Sequence, residues 1–355
     1  FGPALPWQAE NFGKDLLQYV MQYATKVPIL ALTRSLLALI NFELFTYTVK
    51  MVYAVNELVQ TGELPAAMTN LQMISLPEIY TDFTRDRGDT SDLISVACVE
   101  NHLEELGAFF KSSLQLRTTD RFVQENSYLR RKLLDSNQKE IETPEYLKKL
   151  VKLFNEPDIR ADARAEIRKI RTESAAACTN EVEQGEIEKY FSFLDDQFEG
   201  NTMPVVVELL SVAQMKGGLE SYTKWLSNVG GLRKSYGFLA GNLKGRRNWR
   251  YAMSDDLLAA LVNLAFIETP DGNLDAARLR PRLPLREFLQ FLELRFGILV
   301  DRPPTFLDTA QNRQAALKNL EALKRRLRMM GFFEALSDDF NAQYLRAPLA
   351  QEGTR

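Results

Sequence analysis

The stretch AQNRQAALKNLEALKRRLRMMG, residues 310–331, decides the reading of the fold. Ala316, Leu320, Leu323, Leu327 and Met330 recur at helical spacing and form one apolar stripe. Lys318, Arg325 and Arg328 lie opposite that stripe, with Arg313, Lys324 and Arg326 flanking them. Asp308 or Thr309 caps the start, and Gly331 stops the helix. Beyond Gly331 the helical period ends. Phe332–Leu336, the polar run Ser337-Asp338-Asp339-Phe340-Asn341 and then Ala342–Ala347 predict a β-hairpin.

Two further helices precede the cationic one. Ser254 caps the first, with Asp255 and Asp256 in its opening turn and Leu257, Leu258, Leu261, Val262 and Ala265 facing inward. After a turn at Thr269-Pro270-Asp271-Gly272, Pro284 opens the second. Leu285, Phe288, Leu289, Leu292 and Phe296 share its apolar face, and Gly297 ends it. Three helices followed by a hairpin, from Ser254 to Leu349, resemble a winged helix-turn-helix domain. The resemblance implies that the third helix enters the major groove of DNA and that the hairpin touches the backbone or minor groove. The chain departs from that pattern twice. Residues 297–308 separate the second and third helices where three or four residues are usual, and the hairpin tip is acidic at Asp338 and Asp339.

Immediately upstream, Gly230-Gly231 opens a segment in which Arg233, Lys234, Lys244, Arg246, Arg247 and Arg250 alternate with glycines and with Tyr236, Trp249 and Tyr251. Glycine permits close backbone approach, cations neutralise phosphate, and an aromatic ring can stack on a base. A basic linker with its aromatics tucked against neighbouring helices fits the same residues. The glycine spacing matches no P-loop or dinucleotide fingerprint. Charge is divided along the chain: residues 231–355 carry 20 Lys and Arg against 14 Asp and Glu, whereas residues 1–230 carry 24 against 33. Such asymmetry points to one end meeting a polyanion. The candidate nucleic-acid contacts are therefore Arg233, Lys234, Lys244, Arg246, Arg247, Trp249, Arg250, Arg313, Lys318, Lys324, Arg325 and Arg328.

The rest of the chain reads as helices. Residues 13–61 give two, the second rich in Leu, Phe and Tyr. Arg34, Asn41, Glu43, Lys50 and Asn56 interrupt its apolar run at intervals too short for a membrane span. A short strand-like run at Glu78–Thr84 and the loop Arg85–Asp89 lead into a helix reaching about Leu114. Charges dominate from Arg130 to Arg171, where Glu145–Phe154 and Asp158–Arg171 read as short exposed helices. The expected organisation is a helical domain over 1–129, a charged helical insertion or mobile region over 130–180, and a helical continuation of the body over 181–230. A basic Gly-rich aromatic linker over 231–253, a winged-helix-like domain over 254–349 and a tail over 350–355 complete it.

Catalytic constellations are sparse. Cys98 and Cys178 are too few for a disulfide framework or a four-cysteine zinc site, and His102 is the only histidine. Asp82, Asp86, Asp89 and Asp92 could hold a divalent cation for phosphoryl chemistry, yet Arg85 and Arg87 interleave as in a self-neutralising loop. Cys98 and His102 lie four residues apart on one helix, a conceivable but unaccompanied nucleophile pair.

The helical body together with Leu327-Arg328-Met329-Met330-Gly331-Phe332-Phe333 and Leu336-Ser337-Asp338-Asp339-Phe340-Asn341-Ala342-Gln343-Tyr344-Leu345 resembles helical accessory proteins of bacterial anti-phage defence islands linked to DNA modification, the methylation-associated type. That resemblance implies membership of a multi-subunit complex that recognises or processes foreign DNA. The expected fold is mainly α, a multi-helical N-terminal body with a C-terminal winged-helix-like domain of three helices plus a hairpin. The expected function is a non-enzymatic DNA-binding and scaffold subunit, cytoplasmic, without cofactor, metal or membrane, whose partners are double-stranded DNA and other protein subunits. The alternatives are a protein-docking adaptor and a metal-dependent nuclease built on the Asp82–Asp92 loop.

Overall fold

The structure is a computed structural model that describes residues 2–65, 68, 77–134, 141–215, 217–270, 274–335 and 343–347. It is mainly α-helical with a few short strands, as the periodicity predicts. Two units assemble from interleaved stretches of chain. One takes Phe1–Ala4, Val52–Met68 and Glu105–Thr223; the other takes Leu5–Met51, Thr69–Glu104 and Lys224–Arg355.

Among its described residues, the regular secondary structure of the first unit is all helical. It contains the later residues of α2 (Ile29–Thr61) and α3 (Thr90–Glu125), then α4 (Ser127–Leu133), α5 (Thr143–Lys152), α6 (Pro157–Ala177), α7 (Glu181–Gln197) and α8 (Thr202–Gln214), and the first half of α9 (Gly218–Val229). Helix starts follow local chemistry. Asn126 accepts from the N–H groups of Tyr128 and Leu129 to cap α4, Pro144 and Pro157 occupy the first turns of α5 and α6, and Asn180 accepts from Glu183 N–H at 2.8 Å to cap α7. Phe191, Leu194, Val205 and Leu209 form a buried cluster against which Ile167, Ile170, Ile187 and Phe198 pack. The expectation that Glu145–Phe154 is exposed is corrected here, whereas Asp158–Arg171 is largely exposed as expected, with an anchoring pair inside. Tyr146 and Leu150, and likewise Ile159 and Ala163, sit four residues apart and are buried. Charge crowds one face of each helix while an i,i+4 apolar pair anchors the other.

The second unit holds α1 (Pro6–Tyr23), the earlier residues of α2 and α3, and all the described strands. Its aromatic core joins Phe42, Phe45, Phe238, Tyr251 and Phe296, with Phe238 stacked on Tyr251 at 5.0 Å between ring centroids. By length and composition alone α2 could cross a membrane, a test that the core helix of a soluble protein also passes, and 39% of its most apolar stretch is buried. Of its charged residues within this unit, Arg34 is exposed while Glu43 and Lys50 are buried. The Lys50 ammonium donates to the Arg295 carbonyl at 2.7 Å, and Arg295 in turn forms an ion pair with Asp15 at 2.6 Å. Burial, reinforced by Asp15, pushes the Glu43 carboxyl well above the usual range, and burial pulls Lys50 down to about 8.

His102 Nδ1 lies 2.7 Å from the Tyr251 hydroxyl in the same core. Burial alone lowers the imidazole from 6.5 to about 4. The unfolded chain therefore takes up the proton first on acidification, so stability is complete above 6.5 and is lost as pH falls toward 4. The full effect is about 3 kcal/mol. Urea melts at neutral pH and near the lower limit should show the native chain losing about 3 kcal/mol more than His102→Gln. Parallel pH profiles for the two would refute the assignment.

From Ser254 onward the order is α10 (Asp255–Ala265), β4 (Ile267–Glu268), β5 (Arg278–Leu279), β6 (Arg282–Pro284), α11 (Leu285–Phe296), β7 (Ile298–Leu299), α12 (Ala310–Met329), β8 (Phe333–Ala335) and β9 (Gln343–Arg346). β8 and β9 pair antiparallel, Phe333 opposite Leu345, which gives the expected hairpin, and β6 joins the far side of β9. The acidic tip at Asp338 and Asp339 lies outside the described residues, as does the Asp271-Gly272 half of the expected turn. The unusually long connection before α12 has a structural use. Gly297 closes α11 at φ +75°, and a Cβ there would meet the Pro77 carbonyl at 2.5 Å. Ile298 and Leu299 then pair in parallel with Ile79 and Tyr80 of β1 (Ile79–Tyr80).

The expected linker is also corrected. Within 231–253, β2 (Leu239–Asn242) and β3 (Gly245–Tyr251) form an antiparallel ribbon, Leu239 opposite Tyr251 and Asn242 opposite Gly245. Trp249 and Tyr251 alternate onto the core at a strand period, which converts a charged, glycine-rich segment into a fixed element.

Candidate nucleic-acid interface

The rotation of α12 about its own axis decides which cations reach solvent. Ala315, Ala316, Leu320, Leu323 and Leu327 are buried, and among them sits Asn319, fully enclosed. Its side-chain oxygen accepts from Phe83 N–H at 2.6 Å, and its amide donates to the carbonyls of Thr81 and Val300 at 2.9 and 3.0 Å. A side chain that satisfies three backbone groups on two other segments fixes the helix in register. Asn319 is absent from the sequence-derived candidates. Its signal was available as a polar residue three positions after Ala316, on the apolar stripe.

With that face inward, Lys318, Arg325 and Arg328 are exposed together, at i, i+7 and i+10. None has an acidic partner among the described residues, and the Arg328 guanidinium lies over the Phe333 ring of β8 at 4.7 Å. The flanking cations differ. Lys324 is buried and donates to Glu321 at 2.6 Å, so it is withdrawn from the contact set. Its position one residue after Leu323 draws the stem over the apolar seam. Arg313 is exposed but forked onto Asp308 at 2.6 and 2.5 Å, a local neutralisation. Arg326 is buried and pairs with Asp255, its guanidinium 5.6 Å from the Phe83 ring centroid.

The segment before α10 supplies a second group. Arg233, at a left-handed φ of 65°, and Lys234 are exposed ahead of the ribbon, and Lys244, Arg246 and Arg247 are exposed on it. Trp249 is removed as a stacking candidate. It is buried, and its indole N–H donates to the Asn242 carbonyl at 2.7 Å across the ribbon. Arg250 is likewise turned inward, 3.0 Å from Asp92, with burial pulling its guanidinium below the ordinary value.

The acidic loop is occupied by its own chain. The buried Asp82 carboxylate accepts from Ser91 Oγ at 2.7 Å, from Thr84 Oγ1 at 2.8 Å and from the N–H groups of Thr84 and Arg85 at 3.2 Å each. Asp89 caps α3 through Asp92 N–H at 2.8 Å, and Asp92 accepts from Gly88 N–H at 2.9 Å. Among the described residues, no three His, Cys, Asp or Glu side chains are grouped to hold a metal ion. Asp82→Ala should therefore cost roughly 3 kcal/mol of stability by orphaning these donors, with Asp82→Asn milder. Denaturant melts check this; unchanged stability would release Asp82 from a structural role. Cys98 is fully buried, and burial pushes its thiol up to about 12, the opposite of an activated nucleophile.

A family model described as "Methylation-associated defense system protein MAD7" matches residues 1–349. No curated protein and no solved structure matches the chain.

Proposed function

The chain belongs to the family of the methylation-associated defense system protein MAD7, and from that premise we propose that it is a non-enzymatic, cytoplasmic subunit of a bacterial anti-phage complex. In this reading it grips double-stranded DNA by the backbone through its C-terminal winged-helix-like segment, while its helical body assembles with partner subunits. The observation that carries the proposal is the open cationic face of α12, Lys318, Arg325 and Arg328, backed by a helix face locked through Asn319. The β8–β9 hairpin directly after that helix supports the winged-helix reading. Phosphate contact of this kind positions a protein on DNA and carries little sequence preference. Titration of the full chain with duplex, at salt between about 50 and 200 mM, tests it: affinity should fall steeply as salt rises.

A protein-docking adaptor is the second reading, favoured by Leu317 and Met329, which are 59% and 75% exposed on the same helix. In that case α12 meets an apolar, acidic protein surface, and association is far less sensitive to salt than duplex binding.

A further inference from the structure

The β2–β3 ribbon has an apex and a root of opposite character. At the root Tyr251 is enclosed. Its carbonyl accepts from Asp82 N–H at 2.9 Å and from Ser95 Oγ at 2.7 Å, and its N–H donates back to Ser95 Oγ at 2.7 Å. The Trp249 indole ties the two strands together at Asn242. Gly241, at φ +145°, leaves no room for a Cβ, which would meet Asn248 O and Trp249 Cδ1 at 2.8 Å each. The ribbon is thus stiff up to its turn. The tip, Asn242-Leu243-Lys244-Gly245-Arg246-Arg247-Asn248, contains three cations and no acid. At its apex Leu243 is 62% exposed. Neither Leu243 nor Lys244 takes a positive φ, so the turn carries a leucine at its apex without backbone strain. Successive residues of β3 point to opposite faces, which places Arg246 and Arg247 on the two sides of the ribbon.

We infer that this ribbon enters the minor groove of duplex DNA and wedges Leu243 between base pairs, bending the helix. The inference rests on the DNA-binding reading proposed above and adds to it a second contact, distinct from α12. The match is chemical. A minor groove is bordered by a phosphate chain on each side, which cations on both ribbon faces neutralise, and apolar side chains are the usual wedges that unstack a step there. An acid-free tip lets the phosphates approach without repulsion.

The test uses the full chain and a duplex carrying a fluorophore pair at its ends. The native chain should bend the duplex by roughly 20–90°. Leu243→Ala should abolish most of the bend while weakening affinity by about threefold to tenfold, Leu243→Phe should keep the bend, and Lys244→Ala/Arg246→Ala/Arg247→Ala should reduce the salt slope by about 2–3. All these side chains are exposed, and far-ultraviolet circular dichroism verifies folding. A straight duplex in the native complex, or a bend unaltered by Leu243→Ala, overturns the wedge while leaving duplex binding through α12 intact. Absence of duplex binding by the native chain at low salt removes the DNA reading itself, and the wedge with it.

Discussion

Lys318→Ala/Arg325→Ala/Arg328→Ala should weaken duplex binding by two to three orders of magnitude near 0.1 M salt. Each phosphate neutralised contributes about 0.9 to the slope of log affinity against log salt, so each contact is worth roughly eightfold at that concentration. Three lost contacts multiply to about 500-fold and flatten the slope by about 2.7. The loss should be nearly equal across duplex sequences, because phosphate contact does not read bases. All three side chains are exposed, so stability should change by no more than about 0.5 kcal/mol. Arg313→Ala is the matched control. Its fork onto Asp308 already neutralises it, and its replacement should alter binding far less than any member of the trio. Unchanged affinity and slope in the triple variant would remove α12 from the interface.

Asn319→Ala should destabilise the protein by about 4 kcal/mol. Three buried backbone groups, Phe83 N–H and the carbonyls of Thr81 and Val300, would lose their partner at once. Each unsatisfied buried group costs about 1–3 kcal/mol, partly relieved where water can follow the truncation. Asn319→Leu fills the space and orphans the same groups, so it should be nearly as damaging. The measurement is a urea midpoint at constant m-value; a loss under about 1 kcal/mol would contradict the role given to Asn319. Any residual folded protein should also bind DNA more weakly, because the cationic face is aimed by the face that Asn319 locks.

These two predictions mark what was legible in the sequence. The inward stripe of α12 and its opposed cations follow from a 3.6-residue period, and the hairpin after Gly331 follows from the loss of that period. Both are local patterns. Asn319 is visible in the sequence as a polar residue on the apolar stripe, but its partners Thr81 and Phe83 lie far away, and no periodicity in either stretch announces the other. Arg250 escaped for the same reason: its charge is indistinguishable from that of Arg246 and Arg247 until Asp92 is seen beside it. The ribbon was hidden by composition, since glycines and arginines resemble a linker. Only the two-residue alternation of Trp249 and Tyr251 reports a strand. Lys324 shows the limit of a helical wheel, because a long side chain beside the apolar seam can lie along it and be covered.

The most direct measurement is reactivity footprinting of lysine and arginine side chains in the full chain, free and saturated with duplex DNA, read by mass spectrometry. Lys318, Arg325 and Arg328 should lose most of their reactivity in the complex, while Lys26, exposed on the connection between α1 and α2, keeps its own. Unaltered reactivity of the three α12 cations under saturating duplex would contradict the account.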